Sequence, residues 1–246
     1  MKISVLTPSF NSGKYLKRAI ESVIAQNYDN YEMIVADGGS TDSTLEILKS
    51  YKHIKYKSER DSGQSDAMNK AFKMSTGEII VYLNADDEFK ENAFQTILNA
   101  FNDSPNVDMI VGDLIYLSPN EKIIRVPSDK YLDIVCYWRN LFPNNPVSYF
   151  YKRKLQIEIG DFPVNNHYSM DIWFLLKAYQ KYKIKKIDAV LGIFHSDGNN
   201  KTALTETGIN LHKTVKYHVR RDNPLILPYF YLKFALAKFK GKYFGA

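Results

Sequence analysis

Ile79-Ile-Val-Tyr-Leu83 is an uninterrupted apolar run that passes directly into Asn84-Ala-Asp-Asp87, and this junction is the strongest fold signal in the sequence. A short apolar run that ends in turn-forming residues predicts a buried strand. The same junction occurs twice earlier, where Ile3–Leu6 precedes Thr7–Asn11 and Tyr31–Ala36 precedes Asp37–Asp42. Three strands that each end in a polar cluster predict a sheet whose ligand binds at the carboxyl ends of its strands.

Between these strands, apolar residues recur at helical spacing over residues 14–25, 65–74 and 93–101. Alternating strands and helices predict an α/β fold with a mostly parallel central sheet and helices on both faces. The alternation weakens after about residue 120. There we expect helices at 131–138, 152–159 and 170–182, a strand at 147–151, and two short strands within 184–195 that separate near Ala189.

The chain has no linker rich in Pro, Gly or Ser between these parts, so we expect one continuous domain. Its halves are predicted to be 1–120 and 121–212, and a C-terminal helical tail follows at 213–246. The single cysteine, Cys136, gives no sign of a disulfide framework. The start of the chain reads as a strand rather than a signal peptide, so a cytoplasmic protein is expected.

The positive charge of the chain is concentrated at its end. Of the formal net charge of +6, the segment from Lys213 onward carries eight Lys or Arg and one acid, Asp222, so the body before it is slightly negative. A nucleic-acid enzyme more often carries its basic patch on the folded body, and we expect no nucleic-acid partner. A basic tail rich in Tyr and Phe favours contact with an anionic membrane surface, with packing on a second subunit of a homo-oligomer as the alternative.

Several enzyme classes lack their motifs in this sequence. A dinucleotide-binding G-x-G-x-x-G, a P-loop, a G-x-S-x-G elbow and a Cys/His zinc cluster are all absent from it. What remains is a set of carboxylates at predicted strand ends. Neighbouring side chains on an extended segment point to opposite sides, so Asp86 and Asp87 can serve different ligands. Carboxylate oxygens suit Mg²⁺ or Mn²⁺ shared with substrate phosphates, although a solvated turn would also explain the pair.

Four segments together resemble family-two glycosyltransferases of the GT-A fold. They are Thr7-Pro-Ser-Phe-Asn11, Val35-Ala-Asp-Gly-Gly-Ser-Thr-Asp42, Glu59–Lys70 and Tyr82-Leu-Asn-Ala-Asp-Asp87, with Asn84 where many members have Asp. The resemblance covers residues 3–87 closely and residues 143–202 loosely. It implies an inverting enzyme that moves a sugar from a nucleotide diphosphate sugar to an acceptor hydroxyl, on a glycan or a lipid-linked acceptor in cell-surface polysaccharide or glycoconjugate assembly.

The resemblance also assigns residues by position. Asp37 would bind the base, where a carboxylate accepts the N3–H of uracil or thymine; UDP is favoured, although guanine also offers N–H donors. Asp87, with help from Asp86, would hold Mn²⁺ or Mg²⁺, and His195 is a further metal or phosphate candidate with a structural alternative. The remaining nucleotide contacts would be Thr7, Pro8, Phe10, Asn11, Asp61, Asp66 and Asp86. Packing under the sheet could instead explain Phe10, and helix capping could explain Asp61 and Asp66.

The general base of the resembled family opens a helix in the second half of the chain. Asp171, in Tyr168-Ser-Met-Asp-Ile-Trp173, fits that place, although Met170 stands where the family has an acidic residue. An acid favoured in the first turn by the helix dipole is the alternative. Two other functions are disfavoured. A binding module without turnover should lack Asp87 or Asp171, and both are present; a sugar nucleotidyltransferase needs a Gly-rich, Arg-containing loop after the first strand, and Thr7–Gly13 is not such a loop.

Overall fold

The structure is a computed structural model that describes residues 1–136, 141–143, 145–166, 169–197, 205–222, 224–232 and 235–236. Side chains of 136 and 205–212 are not part of that description. The strands are β1 Ile3–Ser9, β2 Tyr31–Asp37, β3 Lys55–Ser58, β4 Ile79–Tyr82, β5 Glu88–Phe89, β6 Met109–Leu117, β7 Lys122–Arg125, β8 Tyr149–Lys152 and β9 Ile184–His195. The helices are α1 Leu16–Ile24, α2 Thr44–Ser50, α3 Gln64–Met74, α4 Ala93–Asp103, α5 Tyr131–Cys136, α6 Arg153–Ile159, α7 Met170–Lys181 and α8 Thr205–Asp222, with 3₁₀ turns at Pro146–Ser148 and Pro224–Ile226.

One sheet runs through the described part of the chain in the order β3-β2-β1-β4-β8-β6-β9-β5, and β7 pairs with the outer part of β6. The strands of the first half, β3, β2, β1 and β4, are parallel to one another. Beyond β4 the pairs of β8 with β4 and β6 are antiparallel, while β6 and β9 are parallel. The predicted α/β fold with flanking helices is confirmed, and its parallel pairing is concentrated in the first half.

Both faces of the sheet are covered. Ile3, Val5 and Val81 point to a core formed with α1 and α4, whereas Leu6 and Tyr82 point to a core formed with α3 and α7. Strands buried on both faces read as continuous apolar runs, which is why the first and fourth strands were recognisable. No helix among the described residues is both long and apolar enough to cross a bilayer.

Two predicted elements differ from the structure. Ile184–His195 is one strand, not two. Val111 on β6 pairs with Lys186 on β9, and Asp113, two residues further along β6, pairs with Val190, four residues further along β9. This bulge near Ala189 absorbs the extra residues without ending the strand. The strand expected at 147–151 begins at Tyr149, since the Asn145 side chain accepts the N–H of Val147 (2.9 Å) and closes a 3₁₀ turn first. The helix expected at 131–138 is described as far as Cys136, and Trp138 lies outside the described residues.

Candidate active site

The polar clusters that follow β1, β2 and β4 meet at one edge of the sheet. Ser9 pairs with Asp37, and Asp37 pairs in turn with Ser58 on β3. The backbone N–H of Leu83 donates to Leu6 (3.0 Å), so β4 ends beside β1. Parallel pairing brings the carboxyl ends of these strands together, as the sequence predicts.

Asp37 lies at this edge with its carboxylate buried. It accepts hydrogen bonds from the backbone N–H of Ser40 (3.0 Å), from the Ser40 hydroxyl and from the Ser58 hydroxyl (2.6 Å). A side-chain carbon on Gly38 would stand 2.6 Å from an Asp61 carboxylate oxygen, so any larger residue there would require the Asp61 carboxylate to move away from this loop. Asp37 therefore shapes the loop in which it sits, and Asp61 lies directly beside it.

The loop after β1 is fastened to the loop after β2. The Asn11 N–H donates to the Ser40 hydroxyl (2.7 Å), and Asn11 has a left-handed φ of 48°, which asparagine tolerates. Thr7 and Pro8 are buried within β1, whereas Phe10 is 63% exposed. The alternative in which Phe10 packs under the sheet is therefore wrong, and its ring is free to border a ligand at this edge.

Asp66 has a local structural role. Its carboxylate accepts the N–H of Ser62 (3.0 Å) ahead of α3 and lies 3.2 Å from the ammonium of Lys70 one turn later. The hydrogen bond from Ser62 is the largest influence on the carboxyl and lowers the pKa of Asp66. These contacts match the capping alternative, and they leave a nucleotide contact by Asp66 as a prediction.

Asp87 is fully buried where three segments of the chain meet. Its carboxylate accepts hydrogen bonds from the side-chain amides of Asn84 (3.0 Å) and Asn145 (2.7 Å) and from the backbone N–H of His195 (3.0 Å). Burial, with a smaller contribution from the neighbouring Asp86, raises the pKa of Asp87 to about 7, and the three donors partly offset that effect. The geometry makes Asp87 a structural junction between the loop after β4, the turn before β8 and the end of β9.

Asp86, unlike Asp87, is only partly buried. The Arg18 guanidinium on α1 donates to its backbone carbonyl, and the Glu88 carboxylate lies 3.0 Å from the His195 ring. With Asp87 anchored on one side and Arg18 on the other, the backbone that carries the Asp86 carboxylate is held from both directions. Within the described ranges, no group of three or more His, Cys, Asp or Glu side chains could by itself enclose a metal ion.

Asp171 occupies the first turn of α7, which begins after Ser169. Burial raises the pKa of Asp171 to about 6, although its carboxylate accepts the backbone N–H of Ile172 (2.8 Å), which acts in the opposite direction. A carboxylate with a pKa near neutrality can accept a proton during a reaction and release it afterwards. The first-turn position is thus combined with a desolvated environment that a purely capping acid does not need.

Two adjacent residues at the start of α3 tie these parts together. The Gln64 amide donates to the Asn84 side chain (3.3 Å), next to the Asp86–Asp87 pair. The Ser65 hydroxyl donates to the backbone carbonyl of Asn166 (3.3 Å), whose side chain accepts the N–H of Ser169 (3.0 Å) at the start of the Asp171 helix. The start of α3 therefore joins the two loops that carry the predicted metal site and the predicted base.

Sequence reasoning missed the residues that position this site. Asn145, Asn166 and Arg18 carry no periodic or motif signal, because each acts through a contact that is 58 or more positions away in the chain. The only local hint is Asn145-Pro146, a pair typical of turns.

The family model for glycosyl transferase family 2 matches residues 4–173, which is more than half of the chain. Among curated relatives, the minor teichoic acid biosynthesis protein GgaA of Bacillus subtilis is 34% identical over 128 residues, 48% of this chain and 29% of GgaA. The chain thus spans well under two thirds of the length of the curated relatives it matches, 40% in the case of a Nostoc glycosyltransferase.

Two solved structures share the fold at low sequence identity. Staphylococcus aureus TarS in complex with UDP-GlcNAc has a TM-score of 0.74 and 20% identity, covering 99% of this chain and 73% of TarS. Glucosyl-3-phosphoglycerate synthase of Mycobacterium tuberculosis, with Mn²⁺, UDP and phosphoglyceric acid, has a TM-score of 0.63 and 17% identity, covering 88% of this chain and 78% of that one. With the family match over residues 4–173 and this architecture, the chain belongs to glycosyltransferase family 2 and has the GT-A fold.

Proposed function

We propose that the chain is an inverting glycosyltransferase that moves a sugar from a nucleotide diphosphate sugar to an acceptor hydroxyl. The observation that carries the proposal is the double attachment at the start of α3. Gln64 holds the loop of the Asp86–Asp87 pair, and Ser65 holds the loop that opens the Asp171 helix. A carboxylate suited to hold a diphosphate through a divalent ion and a carboxylate suited to accept a proton are thereby kept near each other, which transfer between two bound substrates requires.

A divalent ion fits this site in the way that Mg²⁺ and Mn²⁺ are usually held with phosphates. Such ions take one or two protein carboxylates and complete their shell with phosphate oxygens and water, so a three-ligand protein cluster is not needed. Asp86 is the carboxylate we assign to the ion, since Asp87 is fully buried and already accepts three hydrogen bonds. Asp87 then acts by fixing Asp86. His195 keeps its place beside Asp87 through its backbone, and a direct role for its ring stays a proposal.

Bound there, Mn²⁺ or Mg²⁺ would offset the negative charge that grows on the departing diphosphate. Asp171 accepts the proton of the acceptor hydroxyl as that oxygen forms its bond to the anomeric carbon. The bond from that carbon to the diphosphate oxygen breaks on the opposite face, and the electron pair leaves with the nucleoside diphosphate. One such displacement inverts the configuration at the anomeric carbon.

We assign donor binding to residues 1–120 and acceptor binding to residues 121–212. Asp37, Asp61 and the loop of Phe10 and Asn11 are the proposed nucleotide contacts. A UDP-sugar is the favoured donor, supported by the UDP-GlcNAc complex of TarS, and a cell-surface glycan or lipid-linked acceptor is supported by the likeness to GgaA. We also propose that the enzyme works in the cytoplasm, where a chain with one cysteine needs no disulfide framework.

The test is a product-release assay with Mn²⁺ and a panel of UDP-, TDP- and GDP-sugars. We expect release of nucleoside diphosphate, fastest with a UDP-sugar as donor, and we expect excess EDTA to abolish it. The chain would instead be a binding module if calorimetry detects nucleotide binding but no donor releases its nucleotide with any of a range of glycan and lipid-linked acceptors. Full activity in EDTA would remove the metal from the proposal.

A further inference from the structure

Helix α8 has two distinct sides over the residues whose side chains are described. Val215, His218 and Val219 are buried, and α8 packs on α7 through them. Lys213, Tyr217 and Arg220, spaced at i, i+4 and i+7, are exposed on the opposite side. We call these three residues the cationic face. The clean separation places two basic groups and an aromatic ring away from the body of the protein.

The segment that follows α8 exposes apolar side chains. Leu225 is 94% exposed, Leu232 57% and Tyr229 42%. Tyr229 and Leu232, three positions apart, share one side of the helical residues 227–232, and Leu225 precedes them in the 3₁₀ turn. We call them the apolar stripe. Phe230, with 1% exposure, packs into the core together with Ile226 and Leu227. The segment is therefore anchored by one side while it presents the apolar stripe outward.

Helix α8 and the segment that follows it are in contact with each other, since the Lys216 ammonium stands 5.4 Å from the centre of the Tyr231 ring. Asp222 is the only acid from Lys213 to the end of the sequence, and it is engaged by Arg221 (2.7 Å) and His218 (3.0 Å). Two contacting elements thus expose basic side chains on one and apolar side chains on the other, and the acid between them, Asp222, is paired.

We propose that this surface docks the enzyme on an anionic lipid bilayer. Exposed Leu and Tyr side chains beside Lys and Arg are the composition of segments that lie in the membrane interface, where rings sit at headgroup level and cations meet anionic lipid. A second copy of the chain is disfavoured, because a two-fold interface would bring the same positive face against itself. The docking does not depend on the transfer reaction; only its benefit, access to a lipid-linked acceptor, rests on the proposed function.

The experiment is flotation of the full chain with vesicles of phosphatidylcholine alone and of phosphatidylcholine with phosphatidylglycerol. We expect flotation only with the anionic vesicles, and weaker flotation at high salt. A double variant, Lys213→Gln with Arg220→Gln, should weaken partition about fivefold per charge removed. Leu225→Ser with Leu232→Ser should weaken binding at every salt concentration, because it removes apolar contact rather than charge.

Ile157→Ser is the matched control, since Ile157 is an exposed aliphatic residue as well (63%) but lies on α6. It should float as the parent chain does. Equal flotation of all variants, or no flotation of the parent, overturns the proposal. So does a dimer in light scattering that the stripe variant converts to a monomer, and so does binding to an acidic protein with none to lipid. Nucleotide release towards a soluble acceptor should be unchanged in the docking variants, which separates this proposal from the catalytic one.

Discussion

The replacement Asp171→Asn should make the protein more stable and nearly inactive. Burial raises the pKa of Asp171 from 3.8 to about 6. The folded state therefore holds a proton more tightly than the unfolded state does, and above pH 6 it bears the cost of a desolvated charge. This rise in the pKa corresponds to a destabilisation of the folded state by at most about 3 kcal/mol. We expect the variant to gain about 1–3 kcal/mol in the free energy of unfolding, because the side chain keeps partial contact with solvent.

The pH dependence identifies the cause. Below about pH 4 the carboxyl is protonated in both the folded and the unfolded state, so the parent chain and the variant should be equally stable. The difference should grow between pH 4 and 6 and stay constant above pH 6. Asparagine keeps the shape and can still accept the N–H of Ile172, which limits other effects on α7. Urea unfolding of both chains at pH 4 and pH 8, at matched ionic strength, gives the free energies to compare.

Turnover should change in the opposite direction. We expect it to fall about 10²- to 10⁴-fold in the variant, with nucleotide affinity by calorimetry unchanged. The turnover of the parent chain should rise through about pH 6 as Asp171 ionises. If the variant gains no more stability over the parent at pH 8 than at pH 4, the argument from burial is refuted. Near-normal turnover would place the base elsewhere.

The other predictions concern carboxylates in three different settings. Asp86→Asn should lower Mn²⁺-dependent turnover about a hundredfold. Asp87→Asn should lower the free energy of unfolding by about 2–4 kcal/mol, and by more than Asp86→Asn does, because the new amide faces the donors of Asn84 and Asn145 and this loss exceeds the gain from no longer burying a charge. Equal loss of stability in both variants would contradict the division of roles. Asp37→Asn should weaken UDP binding by about 1.5–3 kcal/mol in calorimetry, and Ser58→Ala, which removes one loop bond to Asp37, should weaken it less. Burial opposes the shift, but hydrogen bonds from lysine and threonine groups lower the pKa of Glu32. Glu32→Gln should therefore lower the free energy of unfolding, measured by heat or urea, by about 1–3 kcal/mol at pH 7 and by progressively less as the pH falls below about 4.5. A difference that persists undiminished at low pH would show that packing, not charge, is responsible.

The parallel half of the fold was predictable because its information is local. Each of β1, β2 and β4 is an apolar run followed at once by polar turn residues, and both signals lie within a dozen neighbouring positions. The second half was harder, because β8 and β6 are antiparallel partners whose pairing depends on residues far apart in the chain. Pattern alone could not say that Ile184–His195 stays one strand through a bulge, since that depends on β6 beside it.

The family resemblance, the carboxylates at the strand ends and Asp171 at the start of a helix follow from the sequence, because each depends only on residue type and spacing. Which of two adjacent acids is accessible follows from the fold. Asp86 and Asp87 are chemically identical, and their difference arises from Asn145 and His195, which reach Asp87 from 58 and 108 positions away. Burial, and with it the pKa of a carboxylate, depends on whatever the fold packs around it, and no local pattern contains those neighbours.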